Sequence, residues 1–379
     1  MQHNKPKVFI IAGEVSGDIL GARIISAAPD MEFVGVGGEN MIAAGMTRPL
    51  FPMGDLAVMG VAEVVANART ITRRIKQTVR AIIDEKPDLV LTIDSPGFAK
   101  SVIKALRKSR DGREMIARGL RFHHVVAPQV WAWRSGRAEK YAKIFDKLYA
   151  FFDFEVPYFT KYGLDTVAVG HPIADGLVGK YKNTASKTIA LIPGSRMSEV
   201  KRLLPLYRDV VAELDKCGFA GYRFVIPTVE TTAKYIAEQT DKWPTAVELV
   251  PAADRYDIYA KTFVAIAASG TVSAELAMLH VPTVVVYRMN PITVWLARRL
   301  IKIKWVSLVN ILLKRGVYPE LLGGDATVKN IVDVFYRLAN PATRRAMIAT
   351  LKTADERWRH PDGDAAALVA NGIRRALIK

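Results

Sequence analysis

"TIALIPGS" (188–195) is the stretch that decides the fold. It is a short apolar run that halts at Pro-Gly-Ser, and it stands in the middle of a chain of 379 residues. Runs of the same kind precede it at "KVFIIAG" (7–13), "EFVGVG" (32–37), "DLVLTID" (88–94), "RFHHVVAP" (121–128), "KLYAFF" (147–152) and "TVAVG" (166–170), with longer segments of helical period between them. A break, "DGLVGKYKNTASK" (175–187), reads as a linker, and the rhythm then begins again. "TIALIPGS" opens this second series, followed by "YRFVIPT" (222–228), "VELVP" (247–251), "TFVAIAAS" (262–269) and "PTVVVYRM" (282–289). Short apolar strands alternating with helices predict parallel sheets covered on both faces. Two such series predict an α/β protein of two doubly wound, Rossmann-like domains facing each other across a cleft, over residues 1–175 and 188–350. From about Ala326 only helical periodicity remains, "PDGD" (361–364) marks a helix entrance, and 351–379 is a C-terminal helical segment.

Bulk composition agrees with a two-domain globular chain and narrows what it can be. The length exceeds what one hydrophobic core usually serves. Half of the residues are apolar or aromatic and 24% are charged, the balance of a foldable protein and not of a disordered tail. Cys217 is the single cysteine, which excludes an intrachain disulfide and a cysteine-based zinc site and fits a reducing compartment. The opening "MQHNKPKVFIIAGEVSGD" is basic then apolar, but Glu14 and Asp18 cut it short, so it reads as a first strand and not as a signal peptide. No uncharged apolar run reaches the roughly 20 residues that span a bilayer, so a soluble or surface-bound chain is expected. Lys and Arg number 54 against 37 Asp and Glu, a formal net charge of +17 that attracts nucleic acid, anionic lipid or phosphorylated substrates without choosing among them.

In doubly wound sheets, ligands sit at the carboxyl ends of strands. In the second series Ser269, Gly270 and Thr271 end a strand and open a helix, so free N–H groups and the positive helix end suit either an anion or a simple capped turn. Glu275, one turn on, could accept from ribose hydroxyls. "LIPGSRMSEV" (191–200) supplies a second corner, Gly194, Ser195 and Arg196, whose guanidinium suits phosphate. Two corners in one domain point to a diphosphate. Neither is G-x-G-x-x-G or G-x-x-x-x-G-K-[ST], and "GVGG" (35–38) lacks the third glycine, so NAD and P-loop nucleotides are disfavoured.

In the first series "AGEVSGD" (12–18) and "TIDSPGF" (92–98) would face the same cleft. Asp94 follows an apolar strand and precedes a Ser-Pro-Gly turn, so it is either a partly desolvated general base or an Asx-turn cap. Glu14, Ser16 and Asp18 are candidates to orient a sugar, Asp18 equally a helix cap. In "APQVWAWR" (127–134), Trp131, Trp133 and Arg134 could grip an acceptor's ring or phosphate, or simply pack. Among the histidines only His171, in "VGHP", falls near a strand end, and no histidine pair has metal-ligand spacing. Asp362-Gly-Asp364 imitates the D-x-D of metal-dependent glycosyltransferases, but its place before a helix favours capping. Two stretches, 56–80 with Arg69, Arg73, Arg74, Lys76 and Arg80, and 292–316 with Arg298, Arg299, Lys302 and Lys304, border apolar faces with cations. They read either as membrane-interface helices or as ordinary amphipathic helices.

"AGEVSGD", "LAVMG", "TIDSPGF", "VWAWR", "VGHPIAD", "LIPGSR", "ASGTVSAE", "VVYRM", "VSLVNILL" and "PELL", in this order along nearly the whole chain, resemble the lipid-A-disaccharide synthase family. The resemblance implies a GT-B fold and an inverting transfer of the sugar of UDP-2,3-diacylglucosamine to the 6-hydroxyl of 2,3-diacylglucosamine 1-phosphate, giving UDP and the β-1,6 disaccharide 1-phosphate of lipid A. It implies Asp94 as general base, Arg196 on the donor diphosphate, Ser269 to Thr271 on UDP with Glu275 toward the ribose, and Asn310 and Glu320 in the nucleotide-side pocket. It further implies no cofactor, no metal and no nucleic-acid partner. The expected location is cytoplasmic, peripheral on the anionic cytoplasmic face of the inner membrane of a Gram-negative-type bacterium. The segment 351–379 would pack back on the first domain or be exchanged in a homodimer. Departures from the family's usual residues are Val15, Gln129 and the Asp153 of "FFDFE" (151–155), all on the acceptor side. The alternatives are another GT-B enzyme, such as a UDP-sugar 2-epimerase, and a non-catalytic basic binder of membrane or nucleic acid.

Overall fold

Strands that are apolar along their whole length, and not on alternate residues, must be covered on both faces. That condition is met in both halves of the chain. The computed structural model describes all residues except 1–4, 57–67, 133–134, 182, 185, 289–303 and 379, and it divides into two compact units, residues 1–172 with 359–379, and residues 173–358. The readings made above on "LAVMG", Trp133, Arg134, Arg298, Arg299 and Lys302 lie outside the described residues.

The first unit holds strands β1 (Lys7–Ala12), β2 (Glu32–Val36), β3 (Thr47–Pro49), β4 (Leu89–Ile93), β5 (Arg121–Val125), β6 (Lys147–Ala150) and β7 (Asp165–Ala168) in one parallel sheet of order 3-2-1-4-5-6-7. Every residue of β4 is buried, as are Val8 to Ala12 of β1. One layer of the core gathers Phe9, Ile11, Val90 and Phe122 with the helix Pro96–Lys108, and the other gathers Val8, Ile10, Leu89 and Leu91 with the helix Val15–Ser26. The chain order reverses between β1 and β4, where Ala12 pairs with Ile93. This is the topological switch point, and it decides where a ligand can lie.

The second unit repeats the plan with β8 (Thr188–Ile192), β9 (Arg223–Thr228), β10 (Glu248–Pro251), β11 (Thr262–Ala268), β12 (Thr283–Tyr287) and β13 (Glu320–Leu322), all parallel, in the order 10-9-8-11-12-13. Its reversal falls between β8 and β11, where Ile192 pairs with Ala267. "TIALI" is buried at all of its positions, which is why this run could not be an amphipathic element.

The last 21 residues, Arg359–Lys379, return to the first unit. Asp364 caps the final helix, Ala365–Leu377, by accepting the N–H of Ala367 at 2.9 Å. Ala365, Ala366, Val369, Ala370 and Ile373 of that helix are buried in the same core layer as Val8 and Ile10. Arg374 clamps it from outside, at 2.9 Å from Asp30 and 2.8 Å from the carbonyl of Ala27. The helix is therefore a core element and not a loose tail. Ile373→Ala should lower the unfolding free energy of the first unit by about 2–5 kcal/mol, read from urea unfolding. A midpoint within error of the parent would show that the helix does not pack there.

Candidate active site

The loops after β8 and β11 leave from adjacent strands, so the corners Gly194-Ser195-Arg196 and Ser269-Gly270-Thr271 lie side by side. Gly194 has φ +103°, and a Cβ there would stand 2.4 Å from Glu199 Oε2, so the turn needs glycine. Arg196 is the N-cap of the helix Met197–Leu214, its guanidinium exposed and 3.1 Å from Glu199 Oε1. Gly270 caps Thr271–Met278, with open space where its side chain would be. Ser195, Gly270 and Thr271 are exposed and Ser269 is half-buried. Two helix amino ends, three hydroxyls and a guanidinium thus meet at one strand edge, a set of donors matched to an anion.

Glu275 is buried beneath the second corner, and burial raises its carboxyl above the usual range while Arg255 pulls the other way. Arg255 Nε lies 3.4 Å from Glu275 Oε2, and the Tyr256 hydroxyl donates to Oε1 at 3.2 Å. Neither Arg255 nor Tyr256 was marked by any sequence pattern. Asn310 and Glu320 come together, the Asn310 amide donating to Glu320 Oε1 at 2.8 Å. Asn310 Oδ1 accepts the N–H groups of Val317 and Tyr318, and Glu320 accepts those of Val306 and Ser307. Asn310 is fully buried and Glu320 half-buried, and together they fasten the segment 306–320.

In the first unit the turns after β1 and β4 touch. A Cβ on Gly13 would fall 2.3 Å from Ser95 Oγ, so "AGEVSGD" and "TIDSPGF" close on one another only because position 13 is glycine. Asp94 and Ser95 both adopt left-handed backbone, φ 51° and 44°. Strain of about 1–3 kcal/mol per such residue persists where the surroundings over-determine it, and it gathers at functional sites. The N–H of Asp94 is held by the carbonyl of Val125 at 3.1 Å, and its Oδ1 accepts the N–H of Ser95 at 2.8 Å. The carboxylate stays half-buried at the switch point.

A family model described as lipid-A-disaccharide synthetase matches residues 8–360. The chain belongs to that family. A lipid-A-disaccharide synthase of Rhodospirillum centenum is 39% identical over 98% of this chain and 96% of its own length, and one from Paramagnetospirillum magneticum is 37% identical over 98% and 92%. Among solved structures, the S. aureus MnaA–UDP complex is similar with a TM-score of 0.65 at 14% identity, covering 98% of this chain and 97% of its own. The UDP-GlcNAc 2-epimerase of Neisseria meningitidis bound to UDP-GlcNAc gives 0.64 at 13%, with 97% and 100% covered. These two carry the fold alone, the GT-B arrangement of two parallel-sheet α/β units.

For a lipid-A-disaccharide synthetase the remaining acceptor-side candidates divide sharply. Ser16 is exposed and Glu14 half-buried beside the Asp94 turn. Asp18 does not join them. It is 2% exposed, and its oxygens accept the N–H groups of Gly38, Asn40 and Met41 and the Asn40 amide, so it caps the helix Glu39–Ala43. His171 is buried against the rings of Phe151 and Phe152, and burial lowers its pKa to about 4. Trp131 is half-buried, edge-on to Phe154, its indole N–H 3.2 Å from Glu155 Oε1. Of the basic stretch 68–80, Arg74 lies over the Phe51 ring and pairs with Asp55, and Arg80 pairs with Asp84. Arg69, Arg73 and Lys76 remain exposed. A cavity of about 670 Å³ bordered by Pro6, Lys86 and Asp88 opens at the amino ends of β1 and β4, the end of the sheet opposite Asp94.

Glu155 is the residue that sequence reading missed. It sits in "FFDFE" with nothing to distinguish it from a surface glutamate, yet it is 5% exposed and accepts the N–H groups of Phe151 and Phe152 as well as Trp131. Burial pushes its pKa up from 4.5 to about 7. A carboxyl raised in this way holds its proton in the folded chain after the unfolded chain has lost it, so stability falls as pH rises from about 4.5 to 7 and levels off above. Glu155→Gln should remove this slope. The variant should gain on the parent by on the order of 3 kcal/mol between those limits in urea unfolding, and parallel curves would contradict it.

Proposed function

We propose that this chain is an inverting glycosyltransferase that joins UDP-2,3-diacylglucosamine to 2,3-diacylglucosamine 1-phosphate, giving UDP and the β-1,6-linked disaccharide 1-phosphate of lipid A. The observation that supports it most is the pairing of Gly194–Arg196 with Ser269–Thr271 at the β8/β11 switch point. A diphosphate there would be met by two helix amino ends and the Arg196 guanidinium, which neutralise leaving charge as it develops. Glu275, steadied by Arg255 and Tyr256, is suited to the ribose hydroxyls.

Displacement at the anomeric carbon needs the acceptor's 6-hydroxyl deprotonated on the face opposite the leaving group. Asp94 is the group suited to that proton, with Glu14, Ser16 and the Trp131 loop on the acceptor side. In this reading residues 1–175 take the acceptor, 188–350 take the UDP-sugar, and the exposed cations Arg69, Arg73 and Lys76 contribute to docking on an anionic membrane surface from the cytoplasmic side. Exchange of the C-terminal helix in a homodimer is compatible with its role as a core element. A UDP-sugar 2-epimerase would share the nucleotide corner but has no use for a base placed to activate a lipid-borne hydroxyl.

Incubation of the protein with the two diacylglucosamine substrates should release UDP and form the disaccharide; release without disaccharide would reject the acceptor. Asp94→Asn should lower turnover by roughly 10²- to 10⁴-fold with UDP affinity retained, since only the proton acceptor is lost. Undiminished turnover in that variant would remove Asp94 from the chemistry. For Arg196→Ala, both UDP affinity and rate should fall, by roughly tenfold or more in each. Steady-state constants equal to the parent's would take Arg196 out of the site.

A further inference from the structure

Lys100 is a cation that the fold holds in place and that has no part in the donor site or in the proton transfer. It lies on the second turn of the helix that begins at Pro96, directly after the Asp94 turn. Its Nζ stands 5.2 Å from the centroid of the Tyr141 ring, and the residue is half-buried. Lys104, Arg137 and Lys140 all bear on it, and each of these fields, like burial, disfavours its charge. Lys104 and Lys140 belong to the exposed surface around it. No carboxylate pairs with Lys100, Lys104 or Lys140 among the described residues, whereas Lys143 and Lys147 close by have Glu139 and Asp165. Like charges gathered together cost free energy, and burial raises that cost at Lys100, which has no carboxylate partner among the described residues. A fold that keeps such a cluster has a use for an anion there.

Tyr141 ties the cluster to the reaction centre. It is 1% exposed, its hydroxyl is buried with no hydrogen-bond partner among the described residues, and the charges of both Arg137 and Asp94 reach it. Lys100 thus lies over the Tyr141 ring on the helix that Asp94 and Ser95 lead into, six residues after Asp94. The acceptor in the proposed reaction carries its reacting 6-hydroxyl and its 1-phosphate at opposite ends of one pyranose ring. We propose that Lys100, with Arg137 beside it, forms the subsite for the acceptor's phosphate monoester and so sets the 6-hydroxyl against Asp94. This rests on the reading of the reaction given above. A bilayer offers phosphate too, but a cation half-sunk over a buried ring beside the base is placed for a single headgroup and not for a lipid plane.

The test compares 2,3-diacylglucosamine 1-phosphate with the same lipid lacking the phosphate, in detergent micelles, on the parent and on Lys100→Met, which keeps the alkyl packing. A charge-assisted bond of this kind corresponds to roughly 10- to 100-fold, so the parent's kcat/KM preference for the phosphorylated acceptor should shrink by that factor in the variant, through the acceptor KM and not the donor KM. Lys100→Arg should restore part of the preference. An undiminished preference in Lys100→Met overturns the subsite, as does a variant that keeps the preference but sediments less with vesicles of phosphatidylglycerol and phosphatidylcholine. If the parent forms no disaccharide from either lipid, the reading of the reaction fails and binding decides the subsite. Diacylglucosamine 1-phosphate should then bind Lys100→Met 10- to 100-fold more weakly than the parent, and equal binding overturns the proposal.

Discussion

A parallel sheet buried on both faces has nowhere to hold a polar ligand except the loops at its ends, and the carboxyl-end loops are where helix amino ends point their free N–H groups. The candidate site residues at the two sheet reversals follow from that constraint, applied once in each unit. At the β8/β11 reversal it sets two hydroxyl-bearing corners and Arg196 on one edge, and at the β1/β4 reversal it sets Asp94 against the turn of Gly13. The central strands are scaffolds of near-uniform apolarity, and the polar corners begin where the apolar runs stop.

The two edges are built differently, in a way that fits the roles proposed for them. The second unit presents donors, and its carboxylates are either tied to cations, as Glu275 is to Arg255, or taken up by backbone N–H groups, as Glu320 is. Such an edge is suited to an anion. The first unit presents a carboxylate on strained backbone, with cations set a helical turn away from it. Strain at Asp94 and Ser95 is maintained by the bond from Asp94 N to Val125 and by the contact with Gly13, both belonging to the buried sheet and its turns. Rigid strands thereby fix the direction of a side chain that, on a free loop, would sample many.

What could be read from the sequence was what periodicity and turn chemistry encode. The eleven apolar runs all lie on strands of the structure; full burial makes the central strands β4 and β8 continuously apolar, whereas β7 and β10 at the edges are only partly buried. The edge strands β3 ("TRP") and β13 ("ELL") escaped, being three residues long with no buried side chain. The corners at Gly194 and Ser269 could be marked because glycine and serine after a strand signal a tight turn into a helix, although the same pattern serves a plain cap. Asp18 was not resolved, since a cap and a ligand-binding carboxylate look alike until their partners, here Gly38, Asn40 and Met41, are known. Arg255, Tyr256, Glu155 and Lys100 were invisible for a related reason. Their importance comes from partners distant in the chain or from burial, and neither leaves a local pattern.

A crystal structure of the protein soaked with UDP tests the central claim most directly. The diphosphate should lie within hydrogen-bonding distance of the N–H groups following Gly194 and Gly270 and of the Arg196 guanidinium, with the ribose toward Glu275. Density for the nucleotide away from the β8/β11 edge, with both corners untouched, would contradict it.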